Sequence, residues 1–176
     1  MVTGTVKQYY EQAPKTLKTT TKYLKGVKHG VYRTYYENGQ LAANGIFTDG
    51  KLDGVYEEFW NEGTLNGKAI YSMGVIESNE KFHPNGQLRL KVTFKKGLRS
   101  GEVITYYSNG NVAIEEFYID GKLDGNRKDY YENGSLRLTQ RYKLGKPEGE
   151  ALCNTNISNR FSKYCLGGEL RAWEVN

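Results

Sequence analysis

A five-residue phrase returns along this chain at an almost fixed interval. It reads Tyr-Tyr-Glu-Asn-Gly at Tyr35 to Gly39 and again at Tyr130 to Gly134. Between those copies it reads Phe-Trp-Asn-Glu-Gly at Phe59 to Gly63, Phe-His-Pro-Asn-Gly at Phe82 to Gly86 and Tyr-Tyr-Ser-Asn-Gly at Tyr106 to Gly110. The closing glycines Gly39, Gly63, Gly86, Gly110 and Gly134 are 24, 23, 24 and 24 residues apart. A period of this length signals a stacked array whose single units cannot bury an apolar face alone, so function belongs to an extended surface.

Aligning on the phrase divides the chain into clear units at 30–53, 54–76, 77–100, 101–124 and 125–148, with glycine opening each except where Glu77 stands. Gly4 to Tyr10 mimics Gly30 to Tyr36, making 4–29 a degenerate basic unit about two residues longer. Gly149 opens an interrupted capping unit over 149–176, and the whole of 1–176 reads as a single repeat domain.

Each unit has hairpin chemistry: a β-branched and aromatic run such as Val31 to Tyr36, an Asn-Gly turn, a second run such as Leu41 to Phe47, and a turn at Asp49-Gly50. Leu88, Leu90, Val92 and Phe94 alternate with Arg89, Lys91, Thr93 and Lys95, which places apolar and polar side chains on opposite faces of a strand. The predicted fold is all-β, an elongated antiparallel sheet of about seven stacked hairpin repeats. About fourteen strands at ~4.8 Å spacing span about 65 Å. The adjacent aromatics Tyr35-Tyr36, Phe59-Trp60, Tyr106-Tyr107 and Tyr130-Tyr131 point to opposite faces, one row expected buried and the other exposed.

The phrases Tyr-Tyr-Glu-Asn-Gly-Gln-Leu at 35–41 and Asp-Gly-Lys-Leu-Asp-Gly at 49–54, the second repeated at 120–125, resemble the bacterial variant of the MORN repeat over 30–148. The resemblance implies successive antiparallel hairpins without catalytic activity, used in protein association or membrane attachment. Bacterial proteins of this appearance often include antitoxin or immunity components. Glu77, His83-Pro84 and the interrupted last unit depart from the pattern.

The chemistry of the chain agrees with a binding role. His29, His83, Cys153 and Cys165 are dispersed, without metal-ligand spacing or a nucleophile motif, so no cofactor, metal or catalytic residue is predicted. Cys153 and Cys165 bracket the insertion in the last unit; a disulfide and two buried thiols both fit the sequence. The expected function is noncatalytic binding of a toxin through Tyr36, Trp60, Tyr107 and Tyr131, with Arg89, Lys91, Arg137 and Arg141 as charged companions. Residues 1–29 hold six lysines and one glutamate, while the rest of the chain balances its charge. Lys15, Lys18, Lys22, Lys25 and Lys28 therefore define the alternative, a scaffold held to an anionic membrane surface by the basic first unit. Acidic residues interleaved with the basic ones beyond that unit exclude nucleic acid as the expected partner. Exposed edge strands allow a homodimer. The absence of a signal-peptide pattern gives a cytoplasmic expectation, with a secreted or cell-surface location as the alternative if a signal was removed.

Overall fold

A computed structural model describes residues 1–11 and 15–155 and, as strand backbone, 160–162. The period-two alternation is expressed in one continuous antiparallel sheet. Its strands are β1 (Gly4–Tyr9), β2 (Leu17–Leu24), β3 (Val27–Tyr35), β4 (Leu41–Thr48), β5 (Lys51–Leu52), β6 (Gly54–Phe59), β7 (Leu65–Ser72) and β8 (Val75–Phe82). They continue as β9 (Leu88–Lys95), β10 (Leu98–Tyr106), β11 (Val112–Ile119), β12 (Lys122–Leu123), β13 (Gly125–Tyr130), β14 (Leu136–Lys143), β15 (Lys146–Thr155) and β16 (Arg160–Ser162). Fourteen of them lie side by side in chain order, and the short β5 and β12 pair with β4 and β11. The hairpin array read from the period is therefore the fold. Most of the interruption after 149 lies outside the described residues, as does Cys165, so the pairing of Cys153 with Cys165 is not described; Cys153 itself is buried on β15.

Two kinds of turn alternate and form the two long rims of the sheet. At the phrase, Gly39 N–H donates to the Tyr36 carbonyl at 2.9 Å and Tyr36 N–H to the Gln40 carbonyl at 2.8 Å. Asn38 keeps an ordinary φ, and only Gly39, at φ 85°, is left-handed. This is a turn closed by a glycine bulge, not the two-residue turn in which both central residues have positive φ. That second type occurs at the opposite rim: Lys25-Gly26, Asp49-Gly50, Met73-Gly74, Lys96-Gly97, Asp120-Gly121 and Leu144-Gly145 all pair a residue at φ 47–52° with a glycine at φ 77–86°. The twist of such turns matches that of the flanking strands, which offsets the cost of a left-handed non-glycine residue.

The one short interval in the period has a structural cause. Where Gly30 opens a unit, the register jumps by two residues, from Thr21↔Tyr32 to Tyr23↔Lys28. At Gly101 it jumps likewise, from Val103↔Val92 to Arg99↔Phe94. At Glu77 the jump is one residue, from Ile70↔Ser78 to Tyr71↔Ile76. The wide bulge needs the left-handed glycine, at φ 96° and 89° in these two cases; the narrow one does without it and shortens the repeat by one residue.

A sheet one layer thick has no enclosed core, and among the described residues no large side chain is fully buried. What burial there is sits mainly on one face. Cross-strand partners share a face, and the pairs Thr34↔Ala43, Tyr56↔Ala69, Val103↔Val92 and Leu138↔Cys153 put the best-buried apolar residues together. There Tyr32 meets Phe47 edge-on with centroids 5.5 Å apart, and Tyr56 meets Tyr71 at 6.4 Å. Such pairs contribute about 0.5–1.5 kcal/mol beyond area burial. Leu88, Leu90 and Phe94 are half-buried and Val92 buried, while Arg89, Lys91, Thr93 and Lys95 are exposed, as their alternation requires.

Candidate binding surfaces

The second aromatic of each phrase turns out to be a fastener between units. Tyr36 Oη donates to the Phe59 carbonyl and Tyr107 Oη to the Tyr130 carbonyl, each at 2.7 Å and 23 residues onward. Tyr10 does the same to Tyr35 at 2.7 Å, its longer span of 25 residues matching the longer first unit. Tyr131 reaches the Asn154 carbonyl at 3.5 Å. His83, protonated at Nε2, bonds the Tyr106 carbonyl at 2.9 Å. Trp60 alone breaks the series: its Nε1 is buried without a hydrogen-bond partner.

Asparagine makes a parallel series on the same rim. Asn38, Asn85 and Asn109 each use Oδ1 to accept the N–H two residues on and Nδ2 to donate to the next unit's turn, at Asn61, Ser108 and Glu132. The Asx geometry that makes Asn favourable in turns is thus spent twice. In unit 54–76 the slot holds Glu62, whose side chain has no N–H to give.

These contacts fix where the predicted site residues lie. Tyr36, Trp60, Tyr107 and Tyr131 stand on the phrase rim and are half-buried, as are their neighbours Tyr35, Phe59, Tyr106 and Tyr130. The expectation of one buried and one exposed aromatic row is therefore corrected: both rows are half-buried, and in the second the hydroxyls of Tyr36, Tyr107 and Tyr131, aimed at the next unit's backbone, draw the rings inward. Of the charged companions, Lys91 and Arg141 lie on the polar face, Arg141 with Nε 3.3 Å from Glu148 Oε2. Arg89 and Arg137 sit at the extra residue of a bulge, between Leu88 and Leu90 and between Leu136 and Leu138. The aromatic four and the charged four do not form one patch.

The polar face carries a cross-strand row of alternating sign: Glu57↔Lys68, Lys68↔Glu80, Glu80↔Lys91 and, further on, Glu115↔Lys128. Lys128 Nζ is 3.2 Å from Glu115 Oε2, and Tyr130 Oη donates to the same oxygen at 2.9 Å. Burial first and this carboxylate second raise the Tyr130 phenol above its ordinary value.

On the other face sequence reading missed a polar cluster. Asp129, 5% exposed, accepts from Arg127 Nε at 2.8 Å and from Arg137 Nη2 at 3.0 Å. Arg127 also reaches Glu116 at 3.2 Å, and Tyr118 Oη donates to Glu116 at 3.1 Å. The bonds to Asp129 chiefly hold the Arg127 guanidinium above its usual value. Gln140, also buried on this face, gives its Nε2 hydrogens to the Arg141 and Glu148 carbonyls. The local signal for Asp129 was a lone acid in a strand, preceded by Arg127 and Lys128; its pairing is completed by Arg137 from the next strand.

Among the described residues no three or more His, Cys, Asp and Glu converge as a metal site. A cleft of about 60 Å³ between Tyr56, Glu58, Gly67 and Lys81 is far below the roughly 300 Å³ of a small-molecule pocket. In the first unit Lys15, Lys18, Lys22 and Lys25 are exposed. Lys18 lies 5.3 Å over Tyr10, and the half-buried Lys28 lies 4.9 Å over Phe47 and 5.1 Å over Tyr32.

An open sheet of hairpin units fastened to their neighbours at regular slots defines a β-repeat array. Residues 28–49, 79–96, 99–120 and 123–144 match the MORN repeat variant family, and this is a MORN-repeat protein. The match passes over the unit that carries Trp60 and Glu62. No curated protein matches the chain.

Proposed function

We propose that this protein is a noncatalytic recognition protein that binds a protein partner through its sheet, and that the partner is a toxin which it neutralises by occlusion. The observation that carries the reading is the single-layer sheet, whose polar face offers a charged row from Glu57 to Lys128 across the strands. Surfaces of that reach suit a protein epitope better than a small ligand. The resemblance to bacterial antitoxin and immunity proteins supplies the toxin. The test is affinity isolation of the tagged chain from its native extract at moderate salt, followed by mass spectrometry. One stoichiometric protein whose toxicity the chain suppresses is expected; recovery of no protein refutes the reading.

A second reading, attachment to anionic lipid through the first unit, is supported by the exposure of Lys15, Lys22 and Lys25. Flotation with acidic liposomes is expected to fail in a Lys15→Gln, Lys22→Gln, Lys25→Gln variant if this reading holds.

A further inference from the structure

The two rims differ in what they show to solvent. At the phrase turns between Tyr36 and Ser135 no large apolar residue is exposed, and the charges at the tips are the acids Glu37, Glu62 and Glu132, with the exposed Arg89 and Arg137 at the bulges just inside them. The opposite rim is studded with exposed Leu24, Val27, Met73, Val75, Leu98 and Leu144, each at or beside a two-residue turn and 45–60% exposed. Lysines flank them: Lys25, Lys51, Lys95, Lys96, Lys122 and Lys146 are all exposed, against Asp49 and Asp120 at the turn tips. The apolar surface continues onto the polar face just inside this rim, where Val31 pairs with Ile46 and Val55 with Ile70, all four exposed.

The turns are made by backbone geometry and by glycine, and although Val27, Val75 and Leu98 lie beside the turn glycines Gly50, Gly97 and Gly121 of the next units, each stays about half exposed. An exposed apolar band fringed by an excess of one sign of charge marks a docking surface. We propose that this rim and the adjoining strip bind an acidic protein surface whose carboxylates surround an apolar ridge; this rests on the protein-binding function above and names the part of the sheet that performs it. A lipid surface fits less well. The rim tips carry no Trp, Tyr or Phe, the side chains that favour a membrane interface.

The probe is a fluorescent amphipathic peptide of glutamate and leucine, titrated onto the full chain, beside a lysine and leucine counterpart and phosphatidylserine vesicles. Binding of the acidic peptide is expected, weakening as salt rises. It should fall about tenfold or more in Val27→Ser/Leu98→Ser/Leu144→Ser and in Lys25→Gln/Lys96→Gln/Lys122→Gln, with melting temperatures unchanged. A Glu37→Gln/Glu62→Gln variant on the other rim should bind as the parent does. Equal binding of the basic peptide, no binding of the acidic one, retention by the rim variants, or vesicle binding that alone responds to them would each overturn the proposal. Affinity isolation separates this failure from that of the function. A partner held equally by the parent and the rim variants removes the surface and leaves the function, whereas no partner on the parent removes the function.

Discussion

Strands β8 and β13 occupy equivalent places in their units and are held very differently. At β13 and the neighbouring β12, Tyr107 and Asn109 reach back from the phrase rim at 2.7 and 2.9 Å. On the other rim Gly145 N–H bonds the Leu123 carbonyl at 2.8 Å, and Asp124 accepts from Leu144 N–H at 3.3 Å and from Lys143 Nζ at 3.1 Å. At β8 Trp60 and Glu62 replace the tyrosine and asparagine, Ile76-Glu77 replaces Asp-Gly, and none of these five bonds forms. Instead Lys81 forms an ion pair with Glu58 across Gly67, where a Cβ would lie 2.7 Å from the ammonium. Continuity of the sheet thus needs only the backbone ladder. The strength of each joint is set separately, by four side-chain positions per unit.

The largest test of that contrast removes the good joint. Tyr107→Phe with Asn109→Ala should cost about 3 kcal/mol, about 1 for each of the three side-chain bonds lost, read from the urea midpoint. An unchanged midpoint would mean that the rim bonds are incidental. Grafting the slots onto the weak joint, as Trp60→Tyr with Glu62→Asn, should raise stability by about 1 kcal/mol, less than the first loss because the larger indole contact is given up. Amide exchange compares the strands in the parent: Val75 to Phe82 should exchange about tenfold faster than Gly125 to Tyr130. The smallest effect is acidic. The bond from Lys143 holds the Asp124 carboxyl below its ordinary value, so its stabilisation is complete above the unfolded pKa of about 3.9 and is lost as pH falls through the folded one. Melting curves of Asp124→Asn and the parent should therefore differ at neutral pH and converge in acid.

Much of this architecture is legible in the sequence because it is local. Alternation in Leu88 to Lys95 assigns faces, glycine spacing gives the units, and the glycine pairs locate both rims. The joints are not local. That Tyr36 donates to Phe59 depends on the register between units, and no propensity within either segment reports it. The constant offset of 23 residues was the available clue. The exposed apolar rim escaped for a related reason: Leu24, Met73, Leu98 and Leu144 are ordinary strand-end residues taken singly, and only the stacking of turns brings them into line. Asp129 is likewise unremarkable until Arg127 and Arg137 close on it from two strands.

The side-by-side order of the strands, identical to their order in the chain, has a kinetic meaning. Every pairing in the sheet closes a loop shorter than about two repeats, so its contact order is low for an all-β chain. Folding can begin at any well-fastened hairpin and spread outward unit by unit, and β8 is the joint it must cross without the rim bonds that fasten β13.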